Sequence, residues 1–174
     1  MLRLIPRCKE YVAGYKAYCQ ELYDAGVVYF RPTDPKCIDE GWFERTKPLY
    51  EAKEKGQVEG QPTSFHYWAV DGDKFVGEFQ LRTDFPKKVL LDIGSIGYAV
   101  RVSEWGKGYG AEILRQGLAL AKQKGMDKVL LTINEDNTRS IRLCEKASGV
   151  LADTIEADNP VEGKHKLRRY WITL

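Results

Sequence analysis

Apolar residues along the chain recur first with a strand period, then a helical one, and the alternation predicts a mixed architecture. Leu2 to Ile5 is short enough for a strand, whereas Tyr11, Tyr15, Tyr18 and Leu22 fall on one face of a helix spanning Lys9 to Ala25, with Gly26 as its stop. Two helical pieces, Trp42 to Lys47 and Leu49 to Lys55, flank Pro48 in a region rich in proline and charge. Phe65 to Val70 and Lys74 to Arg82 read as strands joined by Asp71-Gly72-Asp73, since Asp-Gly supplies hairpin turn chemistry. After a charged connection at 83–93, Ser95 to Val102 is a further strand. Ile113, Leu114, Leu118 and Ala121 then form one stripe of a helix from Tyr109 to Lys124, with Lys122 and Lys124 at its C-terminal end and Gly125 closing it. Val129 to Ile133 suits a buried strand, and helical spacing resumes from Asn137 to Ala147. Leu151 to Glu156 and Leu167 to Thr173, separated by a polar turn at Asn159-Pro160, form a terminal antiparallel pair. This order predicts an α/β (α+β) fold in one domain, a mixed central sheet flanked by helices on both faces.

Composition narrows the class more than the activity. With 174 residues, 43% hydrophobic and 30% charged, the chain fits a single globular domain. Its 27 basic and 25 acidic residues leave a formal charge of +2, too small a field to suggest nucleic acid or an anionic membrane as partner. The charged, proline-containing start and the lack of a long apolar run lead us to expect a soluble cytoplasmic protein. Cys8, Cys19, Cys37 and Cys144 show neither zinc-ligand spacing nor close pairing with His66 or His165, so reduced thiols and no metal are expected.

Chemistry concentrates at Trp105-Gly106-Lys107-Gly108-Tyr109-Gly110, between the fourth predicted strand and the amphipathic helix. Glycine admits positive φ and close approach of a ligand to the backbone. The unpaired N–H groups and positive dipole end of the next helix favour an anion there, and Lys107 adds charge. A pyrophosphate cradle fits; a glycine-rich connection serving only tight packing fits the glycines equally well. A dinucleotide-binding fold is disfavoured, because its third glycine is matched only through Ala111 and Asn134-Glu135-Asp136-Asn137 lies too late for the ribose-binding acid. A Walker loop fails for want of Gly-Lys-Ser/Thr.

The loop together with its flanks resembles the GNAT superfamily of N-acetyltransferases, whose signature is Arg or Gln, two residues, Gly, one residue, then Gly or Ala. Trp105 to Gly110 aligns with it, preceded by Ile96-Gly97-Tyr98-Ala99-Val100-Arg101-Val102 and followed by Asn137-Thr138-Arg139-Ser140 and Glu145-Lys146. The resemblance covers roughly residues 65 to 174. It implies a single GNAT-like domain over 1–174, with 1–64 on the acceptor side and 65–174 as the cofactor-binding core. The implied activity is acetyl transfer from acetyl-CoA, as cosubstrate, to a primary amine in a ternary complex. A catalytically weak or inactive acyl-CoA-binding regulatory protein is the alternative.

By the same resemblance, the backbone at Val100 and Val102 pairs with pantetheine, while Gly106, Lys107, Gly108, Tyr109, Gly110 and Ala111 surround the pyrophosphate. Trp105 departs from the signature's Arg or Gln; it is either packing or a cap on the adenine or ribose. Asn137 and Ser140 are placed near the pantetheine arm, although both also suit the first turn of a helix. Catalysis needs a base for the amine, and Glu78 and Asp92 are the candidate carboxylates. Tyr98 is placed to contact substrate or water. Cys144 stands where many relatives carry a tyrosine that protonates the thiolate; a buried structural cysteine is the competing reading. The acceptor is expected to be a small-molecule or peptide amine. Tyr23, Tyr29, Phe30, Trp42, Phe43 and Tyr50 are candidates to line its cleft, and Asp39, Glu40, Glu44, Glu51 and Glu54 to attract a cation. A homodimer stays open.

Overall fold

The computed structural model describes residues 1–27, 32–84, 93–159 and 163–174. In chain order they form strand β1 (Leu2–Pro6), a 3-10 turn (Lys9–Tyr11), α1 (Val12–Asp24), a second 3-10 turn (Pro35–Cys37) and α2 (Trp42–Glu54). There follow β2 (Thr63–Asp71), β3 (Lys74–Asp84), β4 (Ile96–Val100), a third 3-10 turn (Val102–Glu104), α3 (Tyr109–Gln123), β5 (Lys128–Asn134), α4 (Thr138–Lys146), β6 (Val150–Asn159) and β7 (Gly163–Thr173). Every strand-to-strand ladder is antiparallel, giving one sheet in the order β1-β2-β3-β4 and another in the order β5-β7-β6.

Both faces of the first sheet are buried, which explains why β3 carries apolar residues at odd and even positions alike. On one side Val76, Phe79 and Leu81 pack with Ile113, Leu114 and Ala121 of α3 and with Val129, Leu131 and Tyr170 of the second sheet. On the other, Phe75 and Trp68 pack beneath Tyr15, Tyr18 and Leu22 of α1 and Trp42 and Phe43 of α2. The aromatic stripe of α1 is therefore core. Tyr15 stacks on both Trp42 and Trp68, each at a centroid distance of 5.1 Å. Of the residues considered as a cleft lining, Trp42 and Phe43 are buried in this cluster and Tyr23 is 60% exposed, while Tyr29 and Phe30 lie outside the described residues.

Three boundaries differ from the sequence expectation. The region Trp42–Glu54 is one helix, not two: Pro48 lacks the N–H that would donate to the Glu44 carbonyl, and both residues lie on the exposed side of the helix. The last two strands are longer than their apolar runs, because cross-strand pairing continues through polar residues to Asn159↔Gly163; Pro160 is not among the described residues. The strand before the glycine loop stops at Val100, and Val102 begins a 3-10 turn whose first carbonyl accepts the N–H of Trp105 at 3.1 Å.

Among the described residues, the strand edges of the two sheets are hydrogen-bonded to each other at Ser95 and Leu130. The N–H of Ser95 donates to the carbonyl of Leu130 at 2.6 Å, and the N–H of Leu130 donates to Ser95 Oγ at 3.1 Å. Beyond it β4 and β5 diverge around a cleft of about 910 Å³, bounded by Gly97 and Tyr98 of β4, Leu131 to Asn134 of β5, Asn137 and Ser140 of α4, and Lys53, Gln80 and Arg82 on the α2 side.

Candidate active site

The register of β3 and β4 determines what the cleft can bind. Arg82 N–H donates to the Ser95 carbonyl at 2.8 Å and Arg101 N–H to the Val76 carbonyl at 2.8 Å, which marks these as hydrogen-bonded pairs. In an antiparallel ladder such pairs alternate with pairs whose backbone groups point outward. Tyr98 and Val100, opposite Phe79 and Gly77, are outward pairs, so their amide and carbonyl groups face away from β3 towards the divergence. An extended ligand can add there as a strand would. Val102 does not belong to that row: in its 3-10 turn the residue leaves the strand, and its side chain packs with the α1 cluster.

Trp105 closes one position of the row. Its indole Nε1–H donates to the Val100 carbonyl at 2.9 Å, and the Arg139 guanidinium lies 4.3 Å over its ring. The half-buried indole is thus a pin between β4, the loop and α4, so its signature position has a structural use that composition alone could not reveal.

The three loop glycines have different reasons to be glycine. Gly106 (φ 80°) and Gly108 (φ 86°) occupy left-handed conformations with open space where a Cβ would stand. Gly110 is an ordinary helical residue whose Cβ would come within 3.0 Å of Leu143, so it permits α3 to lie against α4. Gly108 is the N-cap of α3 and supplies no capping side chain, which leaves first-turn amides facing outward beside an exposed loop. Tyr109 is a strut, its phenol donating to Asp71 at the end of β2 at 2.8 Å, and Ala111 is exposed in the first turn. Lys107 is not a free charge: it and Lys74 bracket the buried Glu104 carboxylate at 3.0 and 3.2 Å. Those two ammonium groups, Lys107 first, hold the Glu104 carboxyl below its ordinary range. The trio keeps one net positive charge at the loop.

On α4, Asn137 is an N-cap whose Oδ1 accepts the Ser140 N–H at 3.2 Å; both residues also line the cleft. Tyr98 projects from β4 to the same wall. Its phenol oxygen is buried without a well-formed hydrogen bond, although the Ser140 hydroxyl lies near enough to oppose part of the burial effect that pushes the phenol up to about 12. Cys144 does not reach this wall. It is fully buried against Gly149 in the main core, and burial, then Glu145, pushes its thiol up to about 12. A side chain so placed packs, and the acid role considered for it has no geometric support.

Glu78 lies on the opposite face of β3, with Tyr18 OH donating to its Oε1 at 3.1 Å. Burial pushes its carboxyl up to about 7 against the opposing pull of Tyr18 and Arg7. It keeps partial solvent access, and Gln80, two residues along the same face, lines the cleft where Glu78 does not. Asp92 lies outside the described residues.

Sequence reading missed a polar chain on this face. Arg82 donates to Gln80 Oε1, which leaves the Gln80 amide NH₂ to donate to His66 Nε2 at 3.2 Å; His66 must then carry its proton on Nδ1. The His66 ring meets Tyr50 edge-on at 4.7 Å, and the Arg7 guanidinium lies 3.5 Å over that same Tyr50 ring. Burial, then the charges of Lys53, Arg82 and Arg7, drives His66 down to about 3, so the imidazole is neutral. The α2 acids expected to attract a cation do not form this wall: Glu44, Glu51 and Glu54 are exposed on α2, with Asp39 and Glu40 exposed before it. The only charged residue α2 contributes to the cleft is Lys53.

Among the described residues there is no grouping of His, Cys, Asp or Glu able to hold a metal ion, and no helix is long and apolar enough to cross a membrane. Residues 15–149 match the family model described as an acetyltransferase (GNAT) domain. The fold is similar to that of the microcin C7 self-immunity acetyltransferase MccE in complex with acetyl-CoA and AMP, with TM-score 0.77 and 13% identity over 99% of this chain and 92% of that one. It is also similar to Mycobacterium smegmatis RimJ in complex with CoA-disulfide (0.75, 16%, 99% and 81%). The ribosomal-protein-S5-alanine acetyltransferase of Vibrio fischeri is a third such structure (0.72, 16%, 99% and 91%).

Proposed function

Since the chain belongs to the GNAT acetyltransferase family, we propose that it transfers an acetyl group from acetyl-CoA directly to a primary amine in a ternary complex. The observation that carries this reading is the outward-facing row of backbone groups on β4 beside the positive-φ glycine loop at the start of α3. First-turn amides of α3 and the loop backbone at Gly106 to Gly110 receive the pyrophosphate, Lys107 contributing through the charged trio. Tyr98 and Val100 receive the pantetheine arm on their outward backbone groups, with Trp105 fixing where that row ends. Asn137 and Ser140 border the arm, and Ala111 lies beside the phosphates. The first 64 residues, through α2, then form the acceptor side and 65–174 the cofactor side.

In the transfer step the amine attacks the thioester carbonyl, a C–N bond forms and the C–S bond breaks. Glu78, with a carboxyl poised near neutrality, takes the amine proton through water. The Tyr98 phenol, protonated throughout the working range, hydrogen-bonds the departing sulfur and supplies its proton.

Thermal unfolding with acetyl-CoA, CoA, ATP and NAD tests the cosubstrate, since a ligand at 100 times its Kd stabilises by about 2.7 kcal/mol. Acetyl-CoA and CoA should raise Tm, ATP and NAD should not. Gly108→Asp should abolish the acetyl-CoA shift by placing a carboxylate at the anion site. The regulatory alternative is separated by free thiol release in the presence of amines; binding without release over a broad amine panel would favour it.

A further inference from the structure

We propose that the acceptor amine also bears an oxyanion, a carboxylate or a phosphate, which docks on Arg82 and Lys53 at the α2 side of the cleft. The inference rests on the acetyl-transfer reading for the amine but on independent observations for the anion.

Both cations line the cleft and are half-buried. Arg82 spends its donors on neutral oxygens: Nη2 on Gln80 Oε1, and Nη1 on the Ile93 and Gly94 carbonyls, each at 3.4 Å. Among the described residues no carboxylate lies within ion-pair distance of Arg82 or of Lys53, whose ammonium rests 5.3 Å from the Tyr50 ring centroid. Exposed cations elsewhere on the molecule do find partners, as Arg45 does with Asp39 and Arg115 with Glu112. Two cations gathered in a partly dehydrated cleft repel one another, and burial together with Arg7 and Arg82 lowers the Lys53 pKa while burial lowers Arg82 to about 10.

A neighbouring polar chain fixes the Arg82 guanidinium, which donates to Gln80 Oε1. Gln80 is oriented by His66, and His66 is held neutral, so the wall adds no third cation that would turn from proton donor to acceptor near pH 7. An arginine presents a planar fork suited to two oxygens of one carboxylate or phosphate, with the lysine as an adjacent point charge. The far wall of the cleft, on β6, carries Glu156 and Asp158. A molecule with a cationic amine at one end and an oxyanion at the other matches both walls, whereas a purely cationic amine would meet Arg82 and Lys53 unfavourably.

The experiment compares matched acceptors, an amino acid against its amide and O-phosphoethanolamine against ethanolamine, by CoA release in the wild type, Arg82→Gln, Arg82→Lys and Lys53→Gln. The anionic member of at least one pair should be preferred, and Arg82→Gln should raise its KM about 10- to 100-fold without raising that of the member lacking the anion. Arg82→Lys should recover part of the loss, and thermal unfolding of each variant separates a folding defect from a binding one. The carboxylate pair and the phosphate pair decide between the two oxyanions. Equal use of both members of each pair, or an equal loss on both in Arg82→Gln, would overturn the proposal.

A second readout does not need turnover: inorganic phosphate or acetate titrated into the CoA-saturated protein should shift the His66 ring and Arg82 Nε–H resonances saturably, and not in Arg82→Gln. Absence of that response in the wild type sinks the anion site whatever the activity. Failure of acetyl-CoA to stabilise the protein sinks the transferase reading instead.

Discussion

At Glu78 one carboxyl is held by opposing influences, and its pH behaviour follows from their balance. Burial disfavours the anion, while the Tyr18 hydroxyl and the Arg7 charge favour it, and burial dominates. The unfolded group titrates near 4.5 and the folded group near 7, so between these values the folded state binds more protons. Stability from this residue therefore falls as pH rises from about 4.5 to about 7 and is constant above. Glu78→Gln should be more stable than the wild type at pH 8 by on the order of 2 kcal/mol, read as a higher Tm, and should match it at pH 4. In the same variant kcat/KM for an amine should fall about 100-fold or more and lose its acid limb near pH 7, as read from a pH-rate profile. A Glu78→Gln protein with wild-type rates would reassign the base. The carboxylate was legible as a candidate because it stands on the hairpin strand, but its environment was not: Tyr18 lies 60 residues away and Arg7 farther still.

Among the elements, α3 was the most legible, since a continuous apolar stripe and a glycine stop are local signals. Its observed span of Tyr109–Gln123 agrees with the expectation to within a residue, and Lys124 is its C-cap. What the stripe could not show is how closely the helix approaches the sheet. Gly117 faces Phe79, and a Cβ there would stand 2.1 Å from the ring. Gly117→Ala should raise intrinsic helix propensity and yet destabilise the protein by about 1–3 kcal/mol through overpacking, measured by urea unfolding; a stabilised variant would show that α3 slides freely. The glycine loop was legible as a site yet not in its division of labour, since Gly106 and Gly108 serve the backbone and Gly110 serves packing. Cys144 illustrates the same limit. Its helical position was readable, but only the tertiary structure buries it against Gly149 rather than on the cleft wall.

For the molecule as a whole, the cleft exists because two antiparallel sheets join at Ser95 and Leu130 and then separate. Ser95 is 1% exposed, and its hydroxyl is the acceptor for a buried backbone N–H. Ser95→Ala should cost about 1–3 kcal/mol by orphaning that donor, and urea unfolding would measure it; an unchanged midpoint would mean the sheets are held without this link. The strand order was partly readable from hairpin turns, but the divergence is a property of two segments 35 residues apart. The cationic wall was still less accessible, being assembled from Lys53 on α2 and Arg82 on β3, in a chain whose overall charge is almost balanced. Trp105 gives the assembly an unplanned convenience. Trp42 and Trp68 are sealed in the α1 cluster and Trp171 sits on β7 under the Lys128 ammonium, so Trp105 is the tryptophan that touches the glycine loop. With the other three replaced, the chain carries an intrinsic fluorophore at the mouth of its own site, and occupancy can be followed by light emission without attaching a dye.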